Sequence, residues 1–491
     1  MRRILLGVAC ASLLGALGPS AAAGSSDTGP LVQVSGPSPF ADCPPADLDR
    51  FLPEGEVEPY VAVNPTNPAN IVGVWMQDRF RGLVAGVSMD GGATWRQVVI
   101  PGLTRCTGAR FDYAFDPWVS FGPDGALYLS ASAFGDADQG GILVSKSTNG
   151  GLTWSGPTPL ITETDPSENH SESITADPTD KDLVYGVWTH FPAPKRKPAV
   201  QGGEEAVQGP TFFAQSSDSG ATWRRPRRIF DPGPGKLTSG NKVVVLPNGE
   251  LVDGFTLIAV GTADQGQVQS SVAVIGSTNQ GRSWSAATIV DRLQSAGTTD
   301  PETGDPVSGG SLLTDLAVDP TSGRLYLVWQ DARFHGGRAD GIALSSSGDG
   351  GQTWTKPVKV NATPTDIPIG DQQAFTPSVE VAADGTVAVS YSDFRRNDPA
   401  TPLWTDRWLV RCHPTAKTVC TTTAAFGHEV RLTDAPFDLR QAQRLGGDGG
   451  SAGFFLGDYM GLASNGKDFL ALFSQPHDSD PASVFARRTE P

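Results

Sequence analysis

The sequence predicts an all-β fold made of repeated four-stranded antiparallel units, because its composition is rich in turns and it contains two internal repeats. Among the 491 residues, 58 are glycine and 39 are proline, without the period of three that marks a collagen-like chain. Hydrophobic residues make up 38% of the chain, which is enough for a packed core and argues against disorder. The composition therefore predicts a globular protein in which turns are frequent.

The first repeat is an octapeptide of the form S-x-[DN]-x-G-x-[TS]-W. Its five copies occupy residues 88–95, 147–154, 216–223, 277–284 and 347–354. In such a segment Asp or Asn bonds to nearby backbone amides, Gly adopts a positive φ, and Trp fills the space beneath the turn. Because each copy lies between two runs of alternating apolar residues, the repeat predicts the turn of a β-hairpin.

The second repeat consists of an apolar strand, a turn and another strand. Five of its copies each precede an octapeptide, and two later copies do not. Its seven strands begin at Tyr60, Trp118, Ser173, Lys242, Asp315, Ser378 and Tyr459. The last unit has room for about three strands, and residues 31–35 form an isolated predicted strand near the N-terminus. Pairing that strand with the last unit would close a ring and remove exposed edges. We therefore predict a seven-bladed β-propeller of four-stranded antiparallel blades.

The octapeptide is identified as an Asp-box, or BNR repeat, and nearly the whole mature chain resembles the Asp-box β-propellers, a superfamily that includes the sialidases. This resemblance implies an exo-glycosidase that acts on an anionic glycan, carrying sialic acid or another acidic sugar. Known sialidases have six blades, so six blades are the alternative count. The first blade also departs from the sialidases. They have a Phe-Arg-Ile-Pro stretch there, whereas the corresponding segment of this chain starts with Glu58-Pro-Tyr60.

The N-terminus has the three parts of a secretory signal peptide. Two arginines follow the first methionine, residues 4–17 are apolar, and residues 21–23 form an A-x-A cleavage site. We therefore expect residues 1–23 to be removed and residues 24–491 to form a single propeller domain. The expected location is secreted, either extracellular or periplasmic.

The charge of the chain restricts its partners. It contains 53 acidic and 37 basic side chains, which give a formal net charge of −16. Such a surface repels phosphate backbones, so we expect no nucleic-acid partner, and no later segment is apolar for long enough to span a membrane. The expected partner is an extracellular glycan or glycoconjugate, and the expected state is a monomer.

Four cysteines remain after the signal peptide, which favours two disulfides in an oxidising compartment. Connections between blades emerge on one face of the propeller, so Cys43 and Cys106, which precede the first two blades, are placed to form one bridge. Cys412 and Cys420 lie where the sixth blade lacks an octapeptide, and a second disulfide is predicted to close that hairpin. No metal or cofactor motif occurs, so neither is expected.

In several blades the second strand ends in an aromatic residue that is followed by Asp and Arg. The resulting candidates for substrate binding are Arg79, Arg333, Arg395, Asp78, Asp331, Asp393 and, in the third blade, His190. Three arginines at the loop-bearing face favour a clamp on a carboxylate or sulfate group, similar to the arginine triad of sialidases. The alternative is a local Asp–Arg ion pair that repeats with the blade.

Carboxylates at the same face are candidates for acid and base catalysis. Glycoside hydrolysis needs two carboxyl groups, or a tyrosine nucleophile paired with an acid in sialidases. The candidate catalytic residues are Tyr459 and Asp458 before the seventh blade, Glu58 before the first and Asp116 before the second. Together these features predict a sialidase-like glycosidase.

Two other functions fit the same fold. One is a non-catalytic propeller that binds an extracellular glycan or protein, because a fold does not determine function by itself. The other is a polysaccharide lyase. A deep axial pocket in which arginines and carboxylates converge would favour an enzyme, whereas a shallow aromatic or polar rim would favour a binding protein.

Overall fold

The computed structural model describes most of the chain. The described residues are 27–43, 53–78, 80–135, 139–163, 168–192, 208–259, 269–400, 402–415, 419–445 and 453–490. The predicted signal peptide (1–23) and Arg79 lie outside these segments. Their roles therefore stay predictions.

The described residues are mostly strands and turns, with five short 3-10 helices. The first strands are β1 (Thr28–Gln33), β2 (Val57–Val63), β3 (Ile71–Gln77), β4 (Gly82–Ser88), β5 (Arg96–Val99), β6 (Tyr113–Phe121), β7 (Leu127–Gly135), β8 (Gln139–Ser147), β9 (Thr158–Glu163), β10 (Glu168–Ala176), β11 (Val184–Phe191), β12 (Gln208–Gly209), β13 (Thr211–Ser216), β14 (Arg227–Phe230), β15 (Lys236–Val245), β16 (Leu251–Ala259), β17 (Gln269–Ser277) and β18 (Thr288–Leu293). The remaining strands are β19 (Thr298–Thr299), β20 (Pro306–Ser308), β21 (Thr314–Val318), β22 (Leu325–Asp331), β23 (Gly341–Ser347), β24 (Val358–Lys359), β25 (Ala374–Val381), β26 (Val387–Asp393), β27 (Trp404–Cys412), β28 (His428–Arg431), β29 (Phe437–Asp438), β30 (Arg444–Leu445), β31 (Gly453–Phe455), β32 (Gly461–Asn465), β33 (Asp468–His477) and β34 (Asp480–Thr489). The 3-10 helices are Arg105–Thr107, Ala332–His335, Ile369–Gln372, Thr423–Ala425 and Leu439–Gln441. Within the described segments, no helix is long and apolar enough to cross a membrane.

Seven sheets of the described chain contain the same four-stranded antiparallel meander, and we number them by their first strands. They are sheet 1 (β2 to β5), sheet 2 (β6 to β9), sheet 3 (β10, β11, β13, β14), sheet 4 (β15 to β18), sheet 5 (β21 to β24), sheet 6 (β25 to β28) and sheet 7 (β32, β33, β34, β1). In addition, β12 pairs in parallel with β15, and β29 pairs with β27.

The first strands of the seven sheets form a ring. Each contacts the first strand of the next sheet, from β2 through β6, β10, β15, β21 and β25 to β32, and β32 contacts β2. Because neighbouring sheets cover both faces, middle strands such as β3 and β23 are buried at every residue. Outer strands such as β5 and β14 are largely exposed. Burial on both faces explains why the middle strands are nearly continuous apolar runs.

The N-terminal strand completes sheet 7. Strand β1 pairs antiparallel with β34, with Leu31 opposite Arg487 and Val32 opposite Ala486. The predicted pairing of this strand with the last unit is therefore confirmed. It covers an edge of β34 that would otherwise be open.

The five octapeptides form one kind of turn between the third and fourth strands of sheets 1 to 5. In the fifth copy, the backbone N–H of Gly351 donates to Ser347 Oγ at 2.9 Å, and that of Thr353 donates to Asp349 Oδ1 at 2.9 Å. The indole N–H of Trp354 donates to the Gly351 carbonyl oxygen at 3.0 Å. These polar groups are thus satisfied within the turn itself, and the turn could therefore be predicted from its local sequence.

Both predicted disulfides are present. Cys43–Cys106 joins the segment after β1 to the connection between sheets 1 and 2. Cys412–Cys420 links the end of β27 to the loop before β28, where sheet 6 lacks an octapeptide.

Two connections form a small additional sheet that the sequence analysis did not predict. Strands β19 and β20 precede sheet 5, and β30 and β31 precede sheet 7. Strand β20 pairs in parallel with β31, with Val307 opposite Phe454. These strands are two or three residues long and far apart in sequence, so no local pattern marks them.

Candidate active site

The site is built on a backbone feature that recurs in the first strands. In sheets 1, 2, 3, 4 and 6 the register between the first and second strands shifts at a β-bulge. The bulge residues with a positive φ are Glu58 (54°), Asp116 (53°), Ser171 (54°), Gly240 (66°) and Thr376 (50°). A non-glycine residue in this conformation is strained, so the surrounding ring must hold it. Bulges redirect side chains next to functional sites.

A cavity of about 540 Å³ opens at this end of the ring. The bulged ends of the first strands line it, together with the connections before sheets 5 and 7. Its polar side chains include Glu58, Asp116, Glu168, His170, Glu172, Lys242, Asp315, Asp458 and Tyr459. The structure therefore brings all four residues proposed as catalytic, Glu58, Asp116, Asp458 and Tyr459, into one lining.

Glu58 and Asp116 form a carboxyl pair at the centre of this lining. The two side chains interact closely enough for the charge of one to disfavour ionisation of the other. Glu58 is 3% exposed. Burial, and then the charges of Asp116 and Asp458, raise the pKa of Glu58 well above its usual range. Asp116 also accepts a hydrogen bond from the Ser171 backbone N–H at 3.2 Å.

Asp458 lies beside the pair and is held by the backbone. Its Oδ1 accepts a hydrogen bond from the Gly310 N–H at 3.0 Å, and its own N–H donates to Glu58 Oε1 at 3.3 Å. Burial, followed by the charge of Asp116, raises the pKa of Asp458 to about 6. Gly310 has a φ of 62°, and a Cβ there would lie 2.0 Å from the Asp458 carbonyl oxygen. This close approach requires glycine.

A fourth carboxyl group, Glu172, is also buried in the lining. Its Oε2 accepts a hydrogen bond from the Ser132 hydroxyl at 2.5 Å. Burial and then the charge of Asp116 raise the pKa of Glu172 well above its usual range. Among the described residues, no group of three or more His, Cys, Asp or Glu is arranged to hold a metal ion.

Tyr459 faces these carboxyl groups. Its hydroxyl donates to the Pro117 carbonyl oxygen at 3.2 Å. Burial, and then the nearby carboxylate charges, of which that of Glu58 is the largest, raise the pKa of Tyr459 well above its usual range. The environment thus disfavours a phenolate nucleophile and suits a neutral phenol that binds through hydrogen bonds.

Aromatic rings provide the apolar part of the lining. The Tyr60 and Trp118 rings stack with their centroids 3.6 Å apart, and the Tyr459 ring lies 5.5 Å from Trp118. Phe115 stacks on His170 at 5.7 Å. Aromatic faces beside a few polar groups are the usual lining of a small-molecule site.

Lys242 is the one lysine or arginine in the described lining of the cavity. Its ammonium lies 2.7 Å from Asp315 Oδ1 and 5.4 Å from the centre of the Trp118 ring. Burial alone lowers the pKa of Lys242, but the charge of Asp315, the nearby Tyr60 and Glu380 and the hydrogen bond to Asp315 together offset this effect and raise it. Lys242 is therefore charged, and Asp315 neutralises it.

The arginine predicted to bind substrate from sheet 5 has a different role. Arg333 Nε donates to Asp331 Oδ1 at 2.8 Å, and Arg333 Nη2 lies 3.2 Å from Asp291 Oδ1. Asp331 also accepts a hydrogen bond from the indole N–H of Trp329 at 2.8 Å. Neither Arg333 nor Asp331 lines the cavity.

Sheet 6 repeats this arrangement. Arg395 Nε donates to Asp393 Oδ2 at 2.7 Å, and Arg395 Nη1 donates to Glu429 Oε2 at 2.6 Å. Asp393 also accepts a hydrogen bond from the Trp408 indole N–H at 2.9 Å. The structure therefore differs from the prediction of a shared arginine clamp, because both described arginines form local ion pairs away from the cavity.

Two further binding candidates also lie outside the lining. Asp78 Oδ2 accepts a hydrogen bond from the Ser38 hydroxyl at 2.7 Å. His190 Nδ1 lies 3.0 Å from Asn169 Oδ1. Both side chains hold neighbouring segments together at this end of the sheets.

The pairing of Lys242 with Asp315 was not predicted from the sequence. Both residues begin a strand of the second repeat, at the position that Tyr60 and Trp118 occupy in the first two units. That shared position was the available signal, since equivalent residues of a ring face the same axis. The part of the cavity wall that the small additional sheet contributes was not predicted either.

Comparisons with known proteins give distant similarity only. No protein-family model and no curated protein matches the chain. A Hadza microbial sialidase shares 15% identity over 86% of this chain and 73% of its own, with a TM-score of 0.46. An α-L-arabinanase from Penicillium chrysogenum shares 14% identity over 74% and 93%, with a TM-score of 0.48. A leech intramolecular trans-sialidase shares 13% identity over 86% and 83%, with a TM-score of 0.44.

Proposed function

We propose that this protein is a glycoside hydrolase whose active site is the cavity at the bulged end of the ring. The observation that carries the proposal is the pair of buried Glu58 and half-buried Asp116, which lies beside the rings of Trp118 and Tyr459. Glycoside hydrolysis uses one carboxyl group that keeps its proton and one that is ionised. A cavity of about 540 Å³ is also of the size typical of ligand sites.

The proposed roles follow from the environments of the two groups. Protonated Glu58 donates its proton to the glycosidic oxygen as the bond from that oxygen to the anomeric carbon breaks. Asp116 stabilises the positive charge that develops on the sugar, and water supplies the new hydroxyl group. The second proton of that water returns to the carboxyl pair. Asp458 is a positioning residue, because its charge helps Glu58 to keep its proton.

We propose that the sugar next to this pair is uncharged. Arg333 and Arg395 are paired elsewhere, and Asp315 neutralises Lys242. The acidic side chains of the lining would repel a carboxylate or sulfate group at this position. The proposed substrate therefore differs from the anionic glycan that the resemblance to sialidases implies.

We also infer that the seven sheets are the blades of a seven-bladed β-propeller, with the five octapeptides as its Asp-box hairpins. Three features support this inference: the ring of first strands, the four-stranded order in each sheet, and completion of the last sheet by β1. A ligand pocket on the ring axis suits such a fold. We also propose that residues 24–491 form one domain and that the protein is secreted.

A panel of fluorogenic glycosides tests the proposal. It contains neutral pyranosides and furanosides together with sialosides and uronides. We expect release from a neutral glycoside, and a fall in kcat of about a hundredfold or more in Glu58→Gln and in Asp116→Asn. The matched control is Asp291→Asn, because that carboxylate pairs with Arg333 outside the cavity, and its kcat should not change.

Other results would point to the alternative functions. Release from sialosides or uronides alone would contradict the uncharged substrate and support an anionic glycan. Unsaturated sugar products would identify a polysaccharide lyase. Glycan binding without release from any substrate would identify a non-catalytic binding protein.

A further inference from the structure

A second candidate binding site lies on the turns of sheets 3 and 4. Arg224, Arg225 and Arg227 follow the octapeptide turn of sheet 3, and Arg282 lies within the octapeptide turn of sheet 4. These turns join third and fourth strands, whereas the proposed active site is formed where first strands begin.

Strand register places the two sites at opposite ends of the sheets. Strand β10 begins beside the cavity and ends at Ala176, which is opposite Val184 in β11. Val184 is in turn opposite Ser216, where the octapeptide turn begins. An occupant of the turn surface therefore does not enter the cavity.

The four arginines line a common pocket of about 210 Å³. Phe213 contributes an aromatic ring, and the Arg227 guanidinium carbon lies 5.7 Å from the centre of that ring. Within the described chain, no acidic side chain lines this pocket. The pocket is therefore lined by positive charge and one apolar face.

None of these four guanidinium groups forms an ion pair or a hydrogen bond with another described side chain. Most other arginines in the described segments do pair with a carboxylate, for example Arg333, Arg395, Arg431, Arg440 and Arg488. Even the adjacent Arg228 pairs with Asp231 at 2.6 Å. In a chain of net charge −16, such a local excess of unpaired positive charge requires an explanation.

Like charges around one pocket repel each other unless an anion lies between them. Burial, and then the charge of Arg224, lower the pKa of Arg227, which shows the direction of that repulsion. A guanidinium group binds carboxylate and sulfate through two parallel hydrogen bonds, and this geometry favours arginine over lysine at sites for such anions. A bound anion would therefore relieve the repulsion.

We propose that this pocket binds the carboxylate or sulfate groups of an anionic polysaccharide. Phe213 offers an apolar face to a sugar ring, and the arginines provide the bidentate contacts. The arginines are exposed and extend over two neighbouring turns, so successive charged groups of one polymer can reach them. The site would hold the protein on a charged glycan independently of the chemistry in the cavity.

Binding of defined polymers to the mature protein tests this proposal. The probes are labelled dextran sulfate, polygalacturonate and neutral dextran, measured by fluorescence polarisation at low and high salt. We expect both charged polymers to bind, neutral dextran not to bind, and salt to weaken binding. The triple variant Arg224→Gln, Arg227→Gln and Arg282→Gln should lose affinity by about tenfold or more.

Arg96→Gln is the matched control for Arg224→Gln. Each arginine directly follows an octapeptide tryptophan, but Arg96 does not line the pocket. We expect Arg224→Gln to weaken binding and Arg96→Gln not to do so, with unchanged thermal unfolding in both. Because binding is read without hydrolysis, a failure of the proposed enzymatic function does not affect the result.

Several outcomes would overturn the proposal. One is the absence of binding to either charged polymer, and another is an equal loss of affinity in Arg96→Gln and Arg224→Gln. Binding of inorganic sulfate without either polymer would reject the polysaccharide. Tighter binding of duplex DNA than of both polysaccharides would identify a nucleic-acid partner instead.

Discussion

Glu58 keeps its proton because it is buried and faces two other carboxyl groups, Asp116 and Asp458. Burial of carboxyl groups without basic partners costs folding free energy, which is why such clusters are rare outside functional sites. At the scale of the residue, the same environment suits Glu58 to the role of general acid that we propose for it. The left-handed backbone of Glu58 adds local strain to this arrangement.

The pH dependence of activity should report this environment. A general acid must be protonated, so kcat/KM should fall as the pH rises through the raised pKa of Glu58. Because the charge of Asp458 contributes to that rise, Asp458→Asn should lower the pKa of Glu58 and move this limb to lower pH. The measurement is the kcat/KM profile of both proteins, and a limb that stays in place or moves upwards would contradict the assignment.

Asp253 in β16 is a buried carboxyl group outside the cavity. Neither of its side-chain oxygens has a hydrogen-bond partner. Burial raises its pKa well above 3.8, and an interaction with the Lys242 backbone offsets only part of this effect. In the unfolded chain Asp253 ionises near 3.8, so its contribution should lower the free energy of unfolding as the pH rises above that value.

Replacement of this group should therefore stabilise the protein. Asp253→Val should raise the free energy of unfolding at neutral pH by about 1–3 kcal/mol, because valine needs no hydrogen-bond partner. The gain should shrink near pH 4, because aspartate in the unfolded chain is then partly protonated and less free energy of ionisation is lost on folding. Urea denaturation at the two pH values measures this, and an equal gain at both would indicate a packing effect.

At the scale of the element, the octapeptide turns and the bulges of the first strands differ in the interactions that hold them. The octapeptide turns are held mainly by hydrogen bonds within their own eight residues, such as those that Gly351 and Thr353 donate to Ser347 and Asp349. The bulged first strands depend on neighbours, as Asp116 on β6 does when it accepts a hydrogen bond from Ser171 on β10. Local sequence therefore revealed the turns and not the bulges.

A substitution in the connection before sheet 5 tests how strongly the cavity depends on the position of that connection. Gly310→Ala would place a Cβ 2.0 Å from the Asp458 carbonyl oxygen and displace that backbone. We expect kcat/KM to fall about a hundredfold, since small misplacements of catalytic groups have effects of this size.

Gly304 in the same connection offers a matched control. It also has a positive φ, 75°, but no atom lies within 4 Å of the position of an added Cβ. Gly304→Ala should therefore share the backbone strain and keep its activity. Equal activity losses in the two variants would show that strain alone, and not the approach to Asp458, causes the effect.

At the scale of the whole molecule, the N-terminal segment joins the two ends of the chain. Strand β1 pairs with the last strand, and Cys43 then bonds to Cys106 in the connection after sheet 1. The two disulfides close loops of very different size, because their cysteines are 63 and 8 positions apart. A longer closed loop restricts the unfolded chain more strongly.

Removal of the long-range disulfide should therefore cost more stability. Chain entropy predicts a loss of about 4 kcal/mol for Cys43→Ala with Cys106→Ala, against about 2.5 kcal/mol for Cys412→Ala with Cys420→Ala. Denaturation in urea compares the two double variants with the wild type. A larger loss from the 412–420 pair would mean that packing of the sixth sheet, and not loop closure, dominates.

The sequence by itself determined the parts of this protein that depend on short-range pattern. The octapeptide turns, the N-terminal strand that completes sheet 7 and both disulfides could be predicted, because alternation, turn chemistry and position along a repeat are local properties. The location of Glu58, Asp116, Asp458 and Tyr459 at one end of the sheets could also be predicted, since each lies at or just before the start of a predicted strand.

Only the tertiary structure decided which of these groups act together. The ring brings Glu58 next to Asp116 and Asp458, and burial then decides which carboxyl group keeps its proton. Tertiary contacts likewise paired Arg333 and Arg395 with local carboxylates and left the arginines beside Phe213 unpaired. Charge neutralisation depends on distance and burial in three dimensions, and neither quantity is a property of sequence spacing.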